Sequence, residues 1–470
     1  MQYRQYSPPG EDSNFIHPLS KKREMLTLIL SFFKILLKKE EGLPGNLLDD
    51  YLKRLMNKRD AFMESAKNYG TPQYFYDQPG LIEHIERFNR AFSNNLPRYR
   101  AFYAIKSNCF SHVLRDAVKA GMGLDVSSGR ELGMALETEC EKILFSGPGK
   151  TDEELLLALR NPNRIILLLD SFSEFNRLSG LMKKIKPVSD LKVGVRVHGL
   201  KKGAWDKFGI PLSDLALLIR KAHNTKGIVP CGVQFHTSWN LDAEIQVSMI
   251  NDIGAYLIKN LSNDILELLE FMDIGGGFWP EQGEWQNPRN LPIGMIANIL
   301  GKDLQFKPEH YYHPAKPIED FAKNIAGTFL AQPGPVRDLE LFMEPGRWIS
   351  NSAMHILLGV IDKKGANTVI TDGGINLLGW ERPLSEFIPV INVTRFSISE
   401  RPLRIYGPLC TPDDKWGDSF FGDKVEIGDI LLVPDQGAYT YSLRQAFIKP
   451  VAKVIKYNGI SLEEVERERS

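Results

Sequence analysis

Lys106 ends the run Phe102-Tyr103-Ala104-Ile105-Lys106, an apolar stretch with the composition of a buried strand. A lysine desolvated at such a strand end has a lowered pKa and can form a Schiff base with a carbonyl group. Glu344 closes another apolar run and opens Glu344-Pro345-Gly346-Arg347, placing a carboxylate and a guanidinium on one turn. Asp273-Ile274-Gly275-Gly276-Gly277-Phe278 is a strand followed by three glycines, whose bare backbone lets N–H groups approach an anion such as phosphate. Asp125, Asp170, Arg196 and His236 also stand at or next to the ends of apolar runs. Further along, Gly407-Pro408-Leu409-Cys410 sets a thiol beside Asp413 and Asp414, and Asp435-Gln436-Gly437-Ala438-Tyr439 sets a phenol on a turn.

These residues need a frame that brings strand ends together. Apolar, β-rich runs occur at 100–106, 122–126, 142–146, 164–170, 191–198, 229–236, 267–274 and 339–344. Between them lie helically spaced stretches such as 111–120, 130–139, 153–160, 212–223 and 318–331. Strand–helix alternation repeated eight times is the arithmetic of a (β/α)8 TIM barrel, whose active site lies at the carboxyl ends of its strands. An open doubly wound sheet has the same alternation, and periodicity alone does not separate the two. After Glu344 the strand-like stretches 360–371, 387–401, 424–433 and 451–457 predict a separate all-β domain. The expected division is residues 1–75 as an extension with a first strand (73–76) packing on the β domain, 76–345 as the barrel, and 346–470 as the β domain.

Composition narrows the classes. The 470 residues carry 58 basic and 58 acidic side chains, so bulk charge supplies no pull toward nucleic acid or a membrane surface. With 43% hydrophobic residues the chain can fill large cores, which excludes disorder as its main state. Cys109, Cys140, Cys231 and Cys410 are too few for a disulfide framework, and reduced thiols in the cytoplasm are expected. The apolar run 25–37 is interrupted by Lys34 and lacks a cleavage site, so it reads as a helix packed on the body or in an oligomer contact. Ser146-Gly147-Pro148-Gly149-Lys150-Thr151 ends like a phosphate-binding loop, but Leu144 stands where its first glycine belongs. Gly121-Met122-Gly123 lacks the third glycine of a dinucleotide fingerprint, and no histidine pair has metal-ligand spacing.

Taken together, Tyr103–Asn108 (YAIKSN), DVSSGREL from Asp125, SGPGKT from Ser146, Lys207-Phe208-Gly209, DIGGGF, EPGR, GPLC and GAYT resemble the fold-type III pyridoxal phosphate decarboxylases. Within that group they are most similar to diaminopimelate decarboxylases and more distantly to ornithine decarboxylases. The resemblance runs from Tyr69 to Tyr439 and implies an alanine racemase-type barrel with a C-terminal β domain. It implies that Lys106 binds pyridoxal 5'-phosphate and that His236 stacks on its ring. Gly275, Gly276, Gly277, Arg347 and Tyr439 would surround the phosphate, and Glu344 would pair with the pyridine nitrogen, a carboxylate there keeping the ring electron-withdrawing. Asp125, Pro345 and Gly346 join the cofactor contacts. Cys410 is implied as the proton donor to Cα, reached across a homodimer with shared sites. Arg347, Arg382, Glu386, Thr411, Asp413 and Tyr439 are the expected substrate contacts.

The chain departs from the pattern at Thr237-Ser238-Trp239 after His236, at Thr411 in place of a glutamate, and at Glu386 in place of a tyrosine. The implied activity is decarboxylation of meso-diaminopimelate to L-lysine, or of ornithine or lysine of either hand to a diamine. Glu344 and Cys410 argue against a racemase, and Lys106, Glu344 and Cys410 together argue against a non-catalytic relative.

Overall fold

The computed structural model describes residues 41–185, 189–198, 207–287, 309–379 and 386–465, with positions 291, 294, 296 and 300. The expected helix at 25–37 and Arg382 lie outside the described residues. Two helices, Gly45–Met56 and Arg59–Tyr69, lead into β1 (Gln73–Asp77). The Asp77 carboxylate then accepts from the Gly80 N–H and caps helix Gln78–Ser93, which has proline in its first turn.

The eight expected strands are present as β2 (Tyr99–Ala104), β3 (Gly123–Val126), β4 (Ile143–Phe145), β5 (Ile165–Leu169), β6 (Leu191–Arg196), β7 (Ile228–Gln234), β8 (Phe271–Asp273) and, after a hairpin of β9 (Glu284–Gln286) and β10 (Tyr311–His313), β11 (Glu340–Met343). The eight close into a parallel barrel in the order β11-β2-β3-β4-β5-β6-β7-β8. This settles the choice that periodicity left open between a barrel and an open sheet. Strands such as Ile165–Leu169 are buried throughout, because one face meets the helices and the other fills the barrel.

The barrel interior explains where the chemistry sits. Phe102, Leu144, Ile166, Leu168, Cys231, Phe271 and Phe342 form a core of their own inside it. Phe271 and Phe342 stack with ring centroids 4.3 Å apart. A Cβ on Gly232 would lie 2.4 Å from the Phe271 ring, so glycine there makes room for the plug. Side chains alternate along a strand, so residues two or four positions further on return to the same face one or two layers higher. Beyond the plug these are Lys106, Ser146, Asp170, Asp273 and Glu344, and beyond the inward glycines Gly123, Gly194 and Gly232 they are Asp125, Arg196, Gln234 and His236. On β7 the frame is set by an extra residue: pairing with β6 jumps from Pro230 to Gly232 past Cys231.

The remaining strands are β12 (Met354–Lys363), β13 (Thr368–Thr371), β14 (Ile391–Asn392), β15 (Glu400–Tyr406), β16 (Lys415–Phe421), β17 (Ile430–Val433), β18 (Lys453–Tyr457) and β19 (Leu462–Val465). With β1 they make a nine-stranded sheet in the order β13-β15-β16-β14-β17-β12-β1-β18-β19. The single strand expected at 387–401 is instead the two-residue β14 followed by the start of β15. A second core joins Tyr51, Leu52 and Phe62 of the N-terminal helices to Phe75, Trp285, Leu357, Phe387 and Leu432.

Candidate active site

Lys106 stands in the short turn Ile105–Ser107 directly after β2, with its side chain 33% exposed. Its Nζ lies 3.2 Å from Asp125 Oδ2 on β3. Burial opposes the ammonium charge, but Asp125 and Glu344 together outweigh burial and hold the pKa above the ordinary lysine value. The lowered pKa expected from desolvation is therefore corrected: two carboxylates share the mouth with the amine. Asp125 is buried, accepts 2.5 Å from Ser146 Oγ, and is pushed up to about 6 by burial and by Glu344 against the pull of Lys106.

Glu344 lies opposite, just past β11. Burial works against its charge, yet bonding to His236 and the Lys106 cation hold its pKa down at about 2. Gln234 Nε2 donates to Glu344 Oε1 at 3.1 Å. Asp273, deeper in the barrel, is driven well above the usual carboxylate range by burial and the facing Glu344. The three buried carboxyls are thus pushed apart, Glu344 downward and Asp125 and Asp273 upward.

His236 Nδ1 accepts the Gly276 N–H at 3.1 Å, and its Nε2 meets Ser238 Oγ at 3.3 Å. Nδ1 also lies 3.4 Å from Glu344 Oε2, and burial lowers the His236 pKa against the pull of that carboxylate. The glycine triplet packs tightly. A Cβ on Gly276 would fall 2.3 Å from Glu344 O, and one on Gly277 2.1 Å from Thr237 O, with Gly277 at φ +80°. The Gly275 N–H is used by Asp273 and that of Gly276 by His236. Among the described residues the Gly277 N–H has no such partner, which makes it the triplet's available anion donor.

The next turn seats the second half. Pro345 O accepts from Ala104 N at 3.3 Å, and Gly346 leaves a Cβ position only 3.0 Å from Ser107. The Arg347 guanidinium lies between two rings, 4.8 Å from that of Trp279 and 5.0 Å from that of Tyr439. Tyr439 takes φ +57°, and its N–H donates to Ser107 O at 2.7 Å, one residue from Lys106.

Other expected residues lie apart in the chain. Cys410, Thr411 and Asp413 occupy the turn between β15 and β16, where the buried Asp414 accepts from Leu409 N at 2.6 Å and Ile375 N at 2.8 Å. Cys410 is the exposed cysteine, while Cys109, Cys140 and Cys231 are buried. None of the described hydrogen bonds ties Cys410, Thr411 or Asp413 to the barrel mouth. Glu386 pairs through a bridge with Gln286, and together with burial it raises the carboxyl of Glu284. A separate cavity of about 450 Å³ lies between the N-terminal helices, Trp285, His355 and Asp435, away from Lys106 and Glu344.

Gln234 and Ser146 hold the two key carboxylates; Gln234 was not singled out from sequence, and Ser146 was read only as the start of its glycine-rich turn. Their signal was available: each is a polar residue two positions beyond an inward small or apolar one. The mouth fits pyridoxal phosphate, offering an amine, a buried ionised carboxylate, a flat neutral imidazole and a glycine loop too tight for side chains with an N–H to spare. Residues 82–351 match the family model described as pyridoxal-dependent decarboxylase, pyridoxal binding domain.

The chain belongs to this family. It is a pyridoxal phosphate-dependent carboxy-lyase on an alanine racemase-type barrel with a β domain. The diaminopimelate decarboxylase of Methanothermobacter thermautotrophicus is 27% identical over 408 residues, covering 82% of this chain and 86% of that protein. The crystal structure of diaminopimelate decarboxylase from M. jannaschii superposes with a TM-score of 0.70 at 23% identity, over 87% of this chain and 92% of that one. Lysine/ornithine decarboxylase from Vibrio vulnificus, complexed with putrescine, superposes with a TM-score of 0.65 at 19% identity, over 86% and 98%. Among the described residues no helix is long and apolar enough to cross a membrane.

Proposed function

We propose that this family member decarboxylates meso-diaminopimelate to L-lysine as a cytoplasmic homodimer, with Lys106 the cofactor-binding lysine. Bound pyridoxal phosphate supplies the electron sink that lets the Cα–carboxylate bond break. The ionised Glu344, backed by Gln234, would hold the proton on the ring nitrogen. Asp125, 3.2 Å from Lys106 Nζ, would hold and orient the free Lys106 amino group. His236 would pack against the ring. Gly277, Arg347 and Tyr439 hold the phosphate, with Gly275, Gly276, Pro345 and Gly346 shaping the space around it. The proton that replaces CO2 at Cα comes from Cys410 of the partner subunit, whose position on an exposed turn suits reach across an interface.

One observation carries the choice of substrate. Likeness to a diaminopimelate decarboxylase covers 82% of the chain, well beyond the barrel and into the residues that form the β domain. The distal carbon of diaminopimelate bears both an ammonium and a carboxylate. Glu386, standing beside Glu284, suits the first, and Arg382 suits the second. Asp413 and Thr411 complete the contacts from the turn that bears Cys410. The same Glu284–Glu386 pair favours a second reading, an ornithine or lysine decarboxylase, because those substrates end in an amine alone.

CO2 release from diaminopimelate, ornithine, lysine and arginine in both hands separates these readings. If diaminopimelate is the substrate, Arg382→Ala lowers its kcat/KM about a hundredfold through loss of a bidentate charged contact, with the cofactor spectrum unchanged. If the substrate ends in an amine, Glu386→Gln does the greater damage. Unaltered discrimination in both variants overturns the assignment of these residues.

A further inference from the structure

The turn 435–439 that delivers Tyr439 to the mouth contains two non-glycine residues in the left-handed region, Asp435 at φ +54° and Tyr439 at φ +57°. Such backbone persists only where its surroundings fix it. The inner part of the turn is fixed locally. Gln436 N donates to Met354 O at 2.6 Å, Gly437 N to Asn351 O at 2.8 Å, and Asn108 Nδ2 to Gly437 O at 2.9 Å. Gly437 admits no side chain, since its Cβ would lie 1.6 Å from Ser350 O.

Asp435, at the head of the turn, is held differently. Its N–H donates to His355 Nδ1 at 3.1 Å, and its carboxylate Oδ2 accepts from the Tyr51 hydroxyl at 2.7 Å across 384 positions of sequence. All three side chains are buried, and they line the cavity of about 450 Å³ between the N-terminal helices and the β domain. Tyr51 comes from helix Gly45–Met56, in the extension that precedes the family resemblance. Its ring is set edge-on against Trp285, centroids 4.9 Å apart, which fixes where the hydroxyl points.

We infer that Tyr51 is a positioning residue for the cofactor site, acting through Asp435 to hold the turn that presents Tyr439. The inference rests on the reading that Tyr439 contacts the cofactor phosphate. It gives the N-terminal helix a task in cofactor retention beyond packing. Tyr51→Phe keeps the ring on Trp285 and deletes only the hydroxyl.

The test titrates pyridoxal phosphate into cofactor-free wild type, Tyr51→Phe, Asp435→Asn, the double variant and Tyr439→Phe, with melting temperatures measured in parallel. Tyr51→Phe and Asp435→Asn should each weaken cofactor binding about tenfold, and the double variant should be no weaker than the worse single one. Wild-type affinity in Tyr51→Phe overturns the inference, even if its melting temperature falls, because the hydroxyl would then serve stability alone. Additive losses overturn it as well, since Tyr51 would not act through Asp435. Wild-type affinity in Tyr439→Phe removes the phosphate reading itself, and the inference with it. Weakened binding there beside an unaffected Tyr51→Phe removes the inference alone.

Discussion

Lys106 Nζ and Asp125 Oδ2 stand 3.2 Å apart at the mouth of the barrel, and the carboxylate sets the charge of the amine. Because Asp125 and Glu344 hold the ammonium on, the lysine reacts with an aldehyde only after losing a proton that its neighbours favour. Asp125→Asn removes the nearest negative charge and leaves burial to act, so the Lys106 pKa falls. The rate at which the cofactor-free variant develops a visible band with pyridoxal phosphate should rise at a pH about one unit or more below that of wild type. Coincident pH profiles would contradict this account of the pair.

Glu344 is held ionised, with a pKa of about 2, so its charge persists across any practical assay range. Glu344→Gln keeps the shape and discards the charge. The variant should bind cofactor yet lose about a hundredfold or more in kcat, with little pH dependence of the loss between pH 6 and 9. Turnover at the wild-type level would sink the electron-sink role.

Beneath the rim, Lys150 and Glu174 form a fully buried ion pair at 2.9 Å. Lys150 Nζ also donates to Gly147 O at 2.6 Å and Leu168 O at 2.8 Å, pinning the turn after Ser146. Lys150→Met strips the buried Glu174 of its counter-ion and should cost about 3–5 kcal/mol in urea unfolding. Lys150→Met combined with Glu174→Leu should regain much of that. A single variant within about 1 kcal/mol of wild type would show that the pair is dispensable.

The barrel was legible in the sequence because its strands are buried on both faces and read as continuous apolar runs. The rim was legible for the same reason, since a charged residue ending such a run stands out. The sheet was read less well. Near its start β15 carries the exposed Arg401 and Pro402, which read as a break in the strand, and β19 is short and mostly exposed. The Lys106 charge state was misread because desolvation can be guessed from one strand, whereas the opposing carboxylates come from β3 and from just past β11. Arg382, read as the distal carboxylate contact, lies outside the described residues.

The exposed turn bearing Cys410 makes a prediction about assembly. Lys106→Ala and Cys410→Ala are each expected to be inactive alone. Mixed and allowed to exchange subunits, they should regain up to about a quarter of wild-type activity, because half the chains pair unlike and each such pair holds one intact site. Verified exchange without recovered activity would place Cys410 in its own chain's site or outside catalysis.

The most direct test of the central claim is borohydride reduction of the holoenzyme followed by mapping of the labelled peptide. Reduction should fix the cofactor to the single peptide containing Lys106 and abolish the visible band. Label recovered on Lys150, Lys207 or any other lysine, with Lys106 unmodified, would contradict the assignment of the barrel mouth as the site of chemistry.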